Sequence, residues 1–173
     1  MKTVILTSGP RGSGKTTYVN SIRKENPEVI VISRDEILLE LYGTIYLKRY
    51  WEKGSHIFVW NRIREILESL SEKSSYKVIL DYWNKTFEDR EQIINKLRDL
   101  GAERIICWKF VVSLDACLSL FSQKDDICGS EKYFSKKNFY DFYRDMEEIN
   151  NNGFDFVETI DPFQRAIPNF PLI

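Results

Sequence analysis

The apolar run Val4-Ile5-Leu6 leads directly into Gly9-Pro10-Arg11-Gly12-Ser13-Gly14-Lys15-Thr16, which fits the pattern G-x-x-x-x-G-K-[ST] at each required position. The pattern commits this part of the chain to a strand, a tight glycine loop and a helix, in that order. Glycines allow backbone angles that side chains forbid, so successive N–H groups can point inward and form a nest for one phosphate. Lys15 adds positive charge, Thr16 offers its hydroxyl to Mg²⁺, and the following helix aims its positive dipole end at the same phosphates. Gly9, Pro10, Arg11, Gly12, Ser13, Gly14, Lys15, Thr16 and Thr17 are the expected nucleotide-binding residues. A glycine-rich turn matching by chance would lack the flanking strand and helix signals, and both are present.

Short apolar runs alternate with segments whose apolar residues recur three and four apart, the signature of an α/β chain. Strands are expected at residues 3–7, 29–32, 77–80, 104–112 and 154–158. Each is mostly apolar, as in a parallel sheet with helices on both faces. The first helix is expected from residue 14 to about 25, ending where Asn26 precedes Pro27. Ser33 with Glu36 and Thr86 with Asp89 form capping-box patterns that open two more, the latter closing at Gly101. Trp60, Ile63, Ile66, Leu67 and Leu70 mark a long helix, and Phe139, Phe142, Tyr143, Met146 and Ile149 mark the last. The expectation is one domain over residues 1–173: a five-stranded parallel sheet in a three-layer αβα arrangement, with a candidate lid at 123–134 and a tail at 161–173.

Net charge is −1, so no global cationic field of the kind used by non-specific nucleic-acid binders is present. Residues 1–64 nevertheless hold eleven Lys and Arg against six Asp and Glu, placing the positive half with the phosphate loop. Cys107, Cys117 and Cys128 show no C-x-x-C pair and His56 is the sole histidine, a composition that argues against zinc and for small core fillers in a reducing compartment. The N-terminus reads as a strand instead of a leader, and no apolar run approaches the roughly twenty residues that span a bilayer. A soluble cytoplasmic protein is expected. Tyr42, Tyr46, Tyr50, Trp51, Phe58 and Trp60 alternate with Lys48, Arg49 and Lys53. Such interleaving suits either a helix pair packed on the sheet or a stacking surface for single-stranded nucleic acid.

Phosphoryl transfer needs a phosphate cradle, a metal, a carboxylate at the attacking hydroxyl and positive charge over the equatorial oxygens. Asp35 follows the second strand directly, at the sheet edge where ligands gather, and is the candidate that orients the acceptor hydroxyl and takes its proton. An ordinary helix-capping role is the alternative. Arg34 beside it either pairs with Asp35, meets an acceptor phosphate or is solvated. Asp81 ends the run Val78-Ile79-Leu80, where an unpaired charge is costly, which favours a role toward Mg²⁺, directly or through water, over stability alone. The stretch expected to act as a lid has no arginine. Lys124 and Lys132 are point charges without the bidentate fork, while Arg11 and Arg90 are the arginines that could compensate.

The opening strand into the glycine loop, Ser33-Arg34-Asp35, Val78-Ile79-Leu80-Asp81 and Arg90 together resemble the kinase domain of phage-type polynucleotide 5′-hydroxyl kinases. The likeness spans most of residues 1–112 and, loosely, the helices to about 150. It implies a P-loop NTPase fold of kinase type and an ATP- and Mg²⁺-dependent enzyme. Lys15 and Thr16 would then serve the donor phosphates, Asp35 would be the base, Asp81 would support the metal, and Lys124 would stand near the family's lid arginines. The family carries an arginine three residues beyond its catalytic aspartate, where this chain has Leu38. The expected reaction is transfer of the ATP γ-phosphoryl group to a hydroxyl, first of all a nucleic-acid 5′ end. The alternatives are a nucleoside, nucleotide or other small hydroxyl acceptor, and an ATP-binding relative without catalysis.

Overall fold

The computed structural model describes residues 1–43, 45, 54–128, 136–151 and 153–163, the side chains of 55, 123–128 and 136–138 aside. In chain order the elements are β1 (Lys2–Ser8), α1 (Lys15–Glu25), β2 (Ile30–Ser33), α2 (Arg34–Tyr42), α3 (Ser55–Ser69), β3 (Tyr76–Asp81), α4 (Phe87–Asp99), β4 (Arg104–Phe110), α5 (Leu114–Cys128), α6 (Lys136–Arg144) and β5 (Phe156–Ile160). All four strand pairings are parallel, in the order β2-β3-β1-β4-β5.

Alternate residues of β1 enter two different cores. Val4 and Leu6 pack with Ile37, Leu38, Val59, Ile63 and Leu97 from α2, α3 and α4, whereas Ile5 packs with Tyr18, Val19 and Ile22 of α1. Because side chains alternate across a strand, both faces of the sheet are covered and three layers result. This is the α/β architecture expected from the sequence. A third cluster, Cys117, Phe121 and Phe139, joins α5 to α6. Among the described residues no helix is long and apolar enough to cross a membrane.

Local signals set most boundaries. Thr86 and Asp89 form the full capping box. At α2 only half of the expected box exists: Ser33 Oγ accepts from the Glu36 amide at 3.4 Å, while the Glu36 carboxylate pairs with Arg23 at 2.8 and 2.9 Å and ties α2 to α1. The last helix is shorter than its apolar spacing suggests. It ends at Arg144, and Ile149 reaches the core from a segment without regular structure. The fifth strand lies two residues later than expected, and the fourth ends at Phe110 instead of 112.

Helix α5 was not among the expected elements. Its Leu114, Cys117, Leu118 and Phe121 recur at helical spacing and build the third cluster. The candidate lid therefore begins inside a helix through residue 128, and 129–134 lie outside the described residues. Of the aromatic stretch, Trp60 meets Tyr82 edge-to-face at 6.0 Å, but Phe58 and Tyr42 are exposed, so packing accounts for only part of it. Tyr46, Lys48, Arg49, Tyr50, Trp51 and Lys53 lie outside the described residues.

Candidate active site

Strand order places the β1–α1 loop between two neighbours at the carboxyl edge of the sheet, where chain direction switches and ligands collect in open α/β folds. The loop is shaped by two left-handed glycines. Gly12 has φ of 74°, and a Cβ there would lie 2.1 Å from the Cys117 carbonyl oxygen, so no side chain fits between the loop and α5. Gly14, with φ of 80°, is the N-cap of α1, a conformation glycine adopts without steric cost. Thr17 stands exposed in the first turn of α1. Lys15 folds its ammonium back over the loop, donating to Gly9 O at 2.9 Å, Pro10 O at 2.8 Å and Ser13 Oγ at 3.3 Å.

Asp81 is held from both sides. Thr16 Oγ1 donates to Asp81 Oδ2 at 3.0 Å and Thr7 Oγ1 to Asp81 Oδ1 at 2.8 Å. The threonine hydroxyl and carboxylate at one point are hard oxygen donors of the kind Mg²⁺ takes alongside nucleotide phosphates. Among the described residues no group of three or more His, Cys, Asp or Glu forms a complete metal site. The residues present thus fit a magnesium ion shared with a nucleotide, not a cage of protein ligands.

Asp35 reaches the same edge through register. Ser33 pairs with Asp81 across β2 and β3, so Asp35 enters the first turn of α2 beside the end of β3. Its exposed carboxylate accepts from Arg34 Nη1 at 2.7 Å. Leu38 is fully buried in the core beneath α2. Of the expected site residues, the loop, Thr16 and Asp81 come together directly, with Arg34 and Asp35 alongside. Lys124 lies in α5 with its side chain outside the described residues.

Arg90 does not join the site. The residue is 3% exposed, and its guanidinium donates to the carbonyls of Asn84, Lys85, Glu147 and Glu148, at 2.9 to 3.5 Å. It clamps the segment after β3 to the segment after α6. A phosphate could take it only by stripping buried carbonyls of their donor, which is costly.

Four residues escaped sequence reasoning. Thr7 is the second donor to Asp81, and buried Asn84 accepts from Ser8 Oγ at 2.5 Å while donating to Thr7 O and Tyr82 O at 2.7 Å each. These bonds lock the ends of β1 and β3 together. Trp83 and Phe142 meet edge-to-face at 4.9 Å, and the Arg11 guanidinium carbon lies 5.2 Å from each ring centroid. Burial pushes the Arg11 pKa down, Arg34 lowers it further and Asp35 opposes them. No sequence spacing links positions 11, 83 and 142.

A comparison with curated proteins yields no match. Among solved structures, the chain is similar to one in the Pnkp1/Rnl/Hen1 RNA repair complex, with TM-score 0.65, 15% identity and coverage of 86% of this chain and 46% of that one. It is also similar to a fungal RNA kinase (0.61, 18%, 92% and 75%) and to Kti12 of Chaetomium thermophilum bound to ADP-AlF3 (0.61, 16%, 91% and 88%). At these identities the likeness is one of fold, and the chain spans less than half of the first protein's length. The match to the AAA domain family runs over residues 4–149 and takes in the phosphate loop, Asp35 and Asp81; the chain is a member of that family, built on a P-loop kinase-like fold.

Proposed function

We propose that the protein is an ATP- and Mg²⁺-dependent kinase that transfers the γ-phosphoryl group to a hydroxyl of a nucleic-acid 5′ end. The observation that carries this reading is the convergence of Thr16 on Asp81, with Asp35 in the first turn of α2, two residues beyond Ser33, the strand partner of Asp81. When bound, Mg·ATP supplies the electrophilic phosphorus and the charge neutralisation of the β- and γ-oxygens. The loop amides and Lys15 grip the polyphosphate. Thr16 and Asp81 hold the metal side, and Asp35 orients the acceptor hydroxyl and receives its proton. Positioning accounts for most of the rate in such transfers, and each group sits on a rigid element. The similar structures include a protein described as an RNA kinase, which supports a polynucleotide acceptor.

Leu38 favours a second reading. An apolar core residue at the position where the resembled family has an arginine removes one means of holding a substrate phosphate, which suits a small hydroxyl acceptor. Incubation with γ-labelled ATP, Mg²⁺ and a panel of 5′-hydroxyl RNA, 5′-hydroxyl DNA, nucleosides and small alcohols separates the two. The first reading expects the highest kcat/KM with an oligonucleotide; preference for a small acceptor selects the second. Binding of ATP without transfer to any acceptor selects a non-catalytic relative and defeats both.

A further inference from the structure

Position 7 continues an apolar face of the sheet. Ile5 and Ile79 are strand partners that pack with Tyr18, Val19 and Ile22 of α1, and Thr7 and Asp81 stand two residues beyond them, on the same face. Thr7 is fully buried there. Valine has nearly the same shape and would bury only apolar atoms, whereas a buried hydroxyl is costly unless it is hydrogen-bonded. The hydroxyl at this position goes to the acid: Thr7 Oγ1 donates to Asp81 Oδ1 at 2.8 Å.

The two oxygens of Asp81 meet unlike surroundings. Oδ2 accepts from the Thr16 hydroxyl at 3.0 Å, on the exposed side that faces the phosphate loop, and Oδ1 accepts from Thr7 on the buried side. A carboxylate bonded to Thr16 alone could turn about its own Cβ–Cγ bond and exchange its oxygens. A second hydroxyl on the other oxygen fixes the plane. Thr7 is held in turn. Buried Asn84 donates to the carbonyls of Thr7 and Tyr82 at 2.7 Å each and accepts from Ser8 Oγ, so the backbone just past Asp81 is tied to the backbone at Thr7.

We infer that Thr7 is a positioning residue for the metal side of the site: acting through Asp81, it holds the carboxylate in the orientation that meets Thr16 and faces an incoming Mg²⁺. The inference rests on the metal role given to Thr16 and Asp81 in the reading above, and is independent of the acceptor. Partners that orient a ligating group in this way govern metal affinity, and their removal typically weakens it by about 10- to 100-fold.

ADP affinity, measured by calorimetry in EDTA and again with Mg²⁺, tests the inference without any turnover. The readout is the gain in affinity that Mg²⁺ brings, compared among wild type, Thr7→Val, Thr7→Ala, Thr7→Ser, Asp81→Asn and the Thr7→Val, Asp81→Asn double variant. Thr7→Val should bind ADP in EDTA within about threefold of wild type, which also reports a folded loop, while its Mg²⁺ gain shrinks by about tenfold. Thr7→Ala lacks the hydroxyl in a smaller side chain and carries the same expectation. Thr7→Ser keeps the hydroxyl and should restore the gain to within about threefold. In the Asp81→Asn background, Thr7→Val should change the gain by less than about threefold, because the effect of Thr7 runs through the carboxylate.

A Mg²⁺ gain reduced less than threefold in Thr7→Val and Thr7→Ala overturns the inference. So does an equal reduction in Thr7→Ser, or one that persists undiminished without the Asp81 charge. Affinity lost equally in EDTA and in Mg²⁺ by both hydroxyl-free variants makes Thr7 a strut of the fold and overturns it as well. A wild type that shows the Mg²⁺ gain but transfers phosphate to no acceptor defeats the kinase reading alone. A wild type that transfers phosphate beside a Thr7→Val variant with the full gain defeats this inference alone.

Discussion

The Thr16 hydroxyl and the Asp81 carboxylate, 65 positions apart in sequence, meet at 3.0 Å across the end of β1, with Thr7 fixing the other carboxylate oxygen at 2.8 Å. A strand-end acid otherwise difficult to justify is thus coupled to the residue that pattern assigns to the metal. Asp81→Asn keeps the shape but removes the charge and can accept from only one of the two threonine hydroxyls, leaving its amide NH2 facing the other. ATP affinity measured in EDTA should change by less than about threefold, while the gain in affinity on adding Mg²⁺ should shrink by about tenfold or more. Full retention of the Mg²⁺ effect would detach Asp81 from the metal.

Lys15 holds three loop acceptors, Gly9 O, Pro10 O and Ser13 Oγ. Its loss should weaken ATP binding at least about 100-fold, yet cost only about 1 kcal/mol of stability, since it is partly solvated and its bonds are replaceable by water. Paired calorimetry and urea titration check both halves. A large stability loss would make Lys15 a structural strut.

Asp35 is exposed and supported only by Arg34 among the contacts described for its side chain. Asp35→Asn should therefore leave stability within about 0.5 kcal/mol while lowering kcat by about 10² or more. A kcat within twofold would return Asp35 to a helix-capping role.

Leu38 has no solvent within reach, being fully buried among Ile37, Ile63 and Leu80. Leu38→Arg should destabilise the fold by at least about 3 kcal/mol, because an unpaired guanidinium would enter an apolar core. Urea unfolding measures it. A stable Leu38→Arg variant with improved acceptor KM would show that α2 can present this position to substrate.

Burial pushes the Cys107 thiol from 9.0 up to about 12, with Arg90 and Lys109 opposing, and burial with Glu158 pushes the Tyr18 phenol from 10.0 up to about 12. Both groups stay neutral in the folded protein at pH values where the unfolded chain ionises them. Their contribution to stability is whole below the unfolded values and is lost as pH rises from about 9 toward about 12. Urea midpoints at pH 8, 9.5 and 11 should fall in that order, and Tyr18→Phe should flatten the slope above pH 10. Midpoints that do not fall would contradict the burial of these groups.

What could be read from the chain and what could not divides along locality. The loop, Asp35 and Asp81 were legible because a strand followed at once by a glycine loop, or ended by an acid, is a pattern of neighbours. Helix α5, absent from the expected elements, does carry a local signal in the spacing of Leu114, Cys117, Leu118 and Phe121, which the polar stretch after Phe121 masks. Ile149 misled in the opposite direction, since a residue can fill the core from irregular backbone at a spacing that imitates a helix. Arg90 and Arg11 are the sharpest contrast. Both are single arginines with no local signal, and only tertiary packing decides that one clamps carbonyls while the other lies against two rings.

The central claim is that the β1–α1 loop grips a nucleoside triphosphate with Mg²⁺ through Lys15, Thr16 and Asp81. Calorimetric titration of the wild type with Mg·ATP, beside Lys15→Ala, tests it most directly. The account predicts one site per chain for the wild type and no measurable heat of binding for the variant. Silence from the wild type, or equal binding by both, would contradict it.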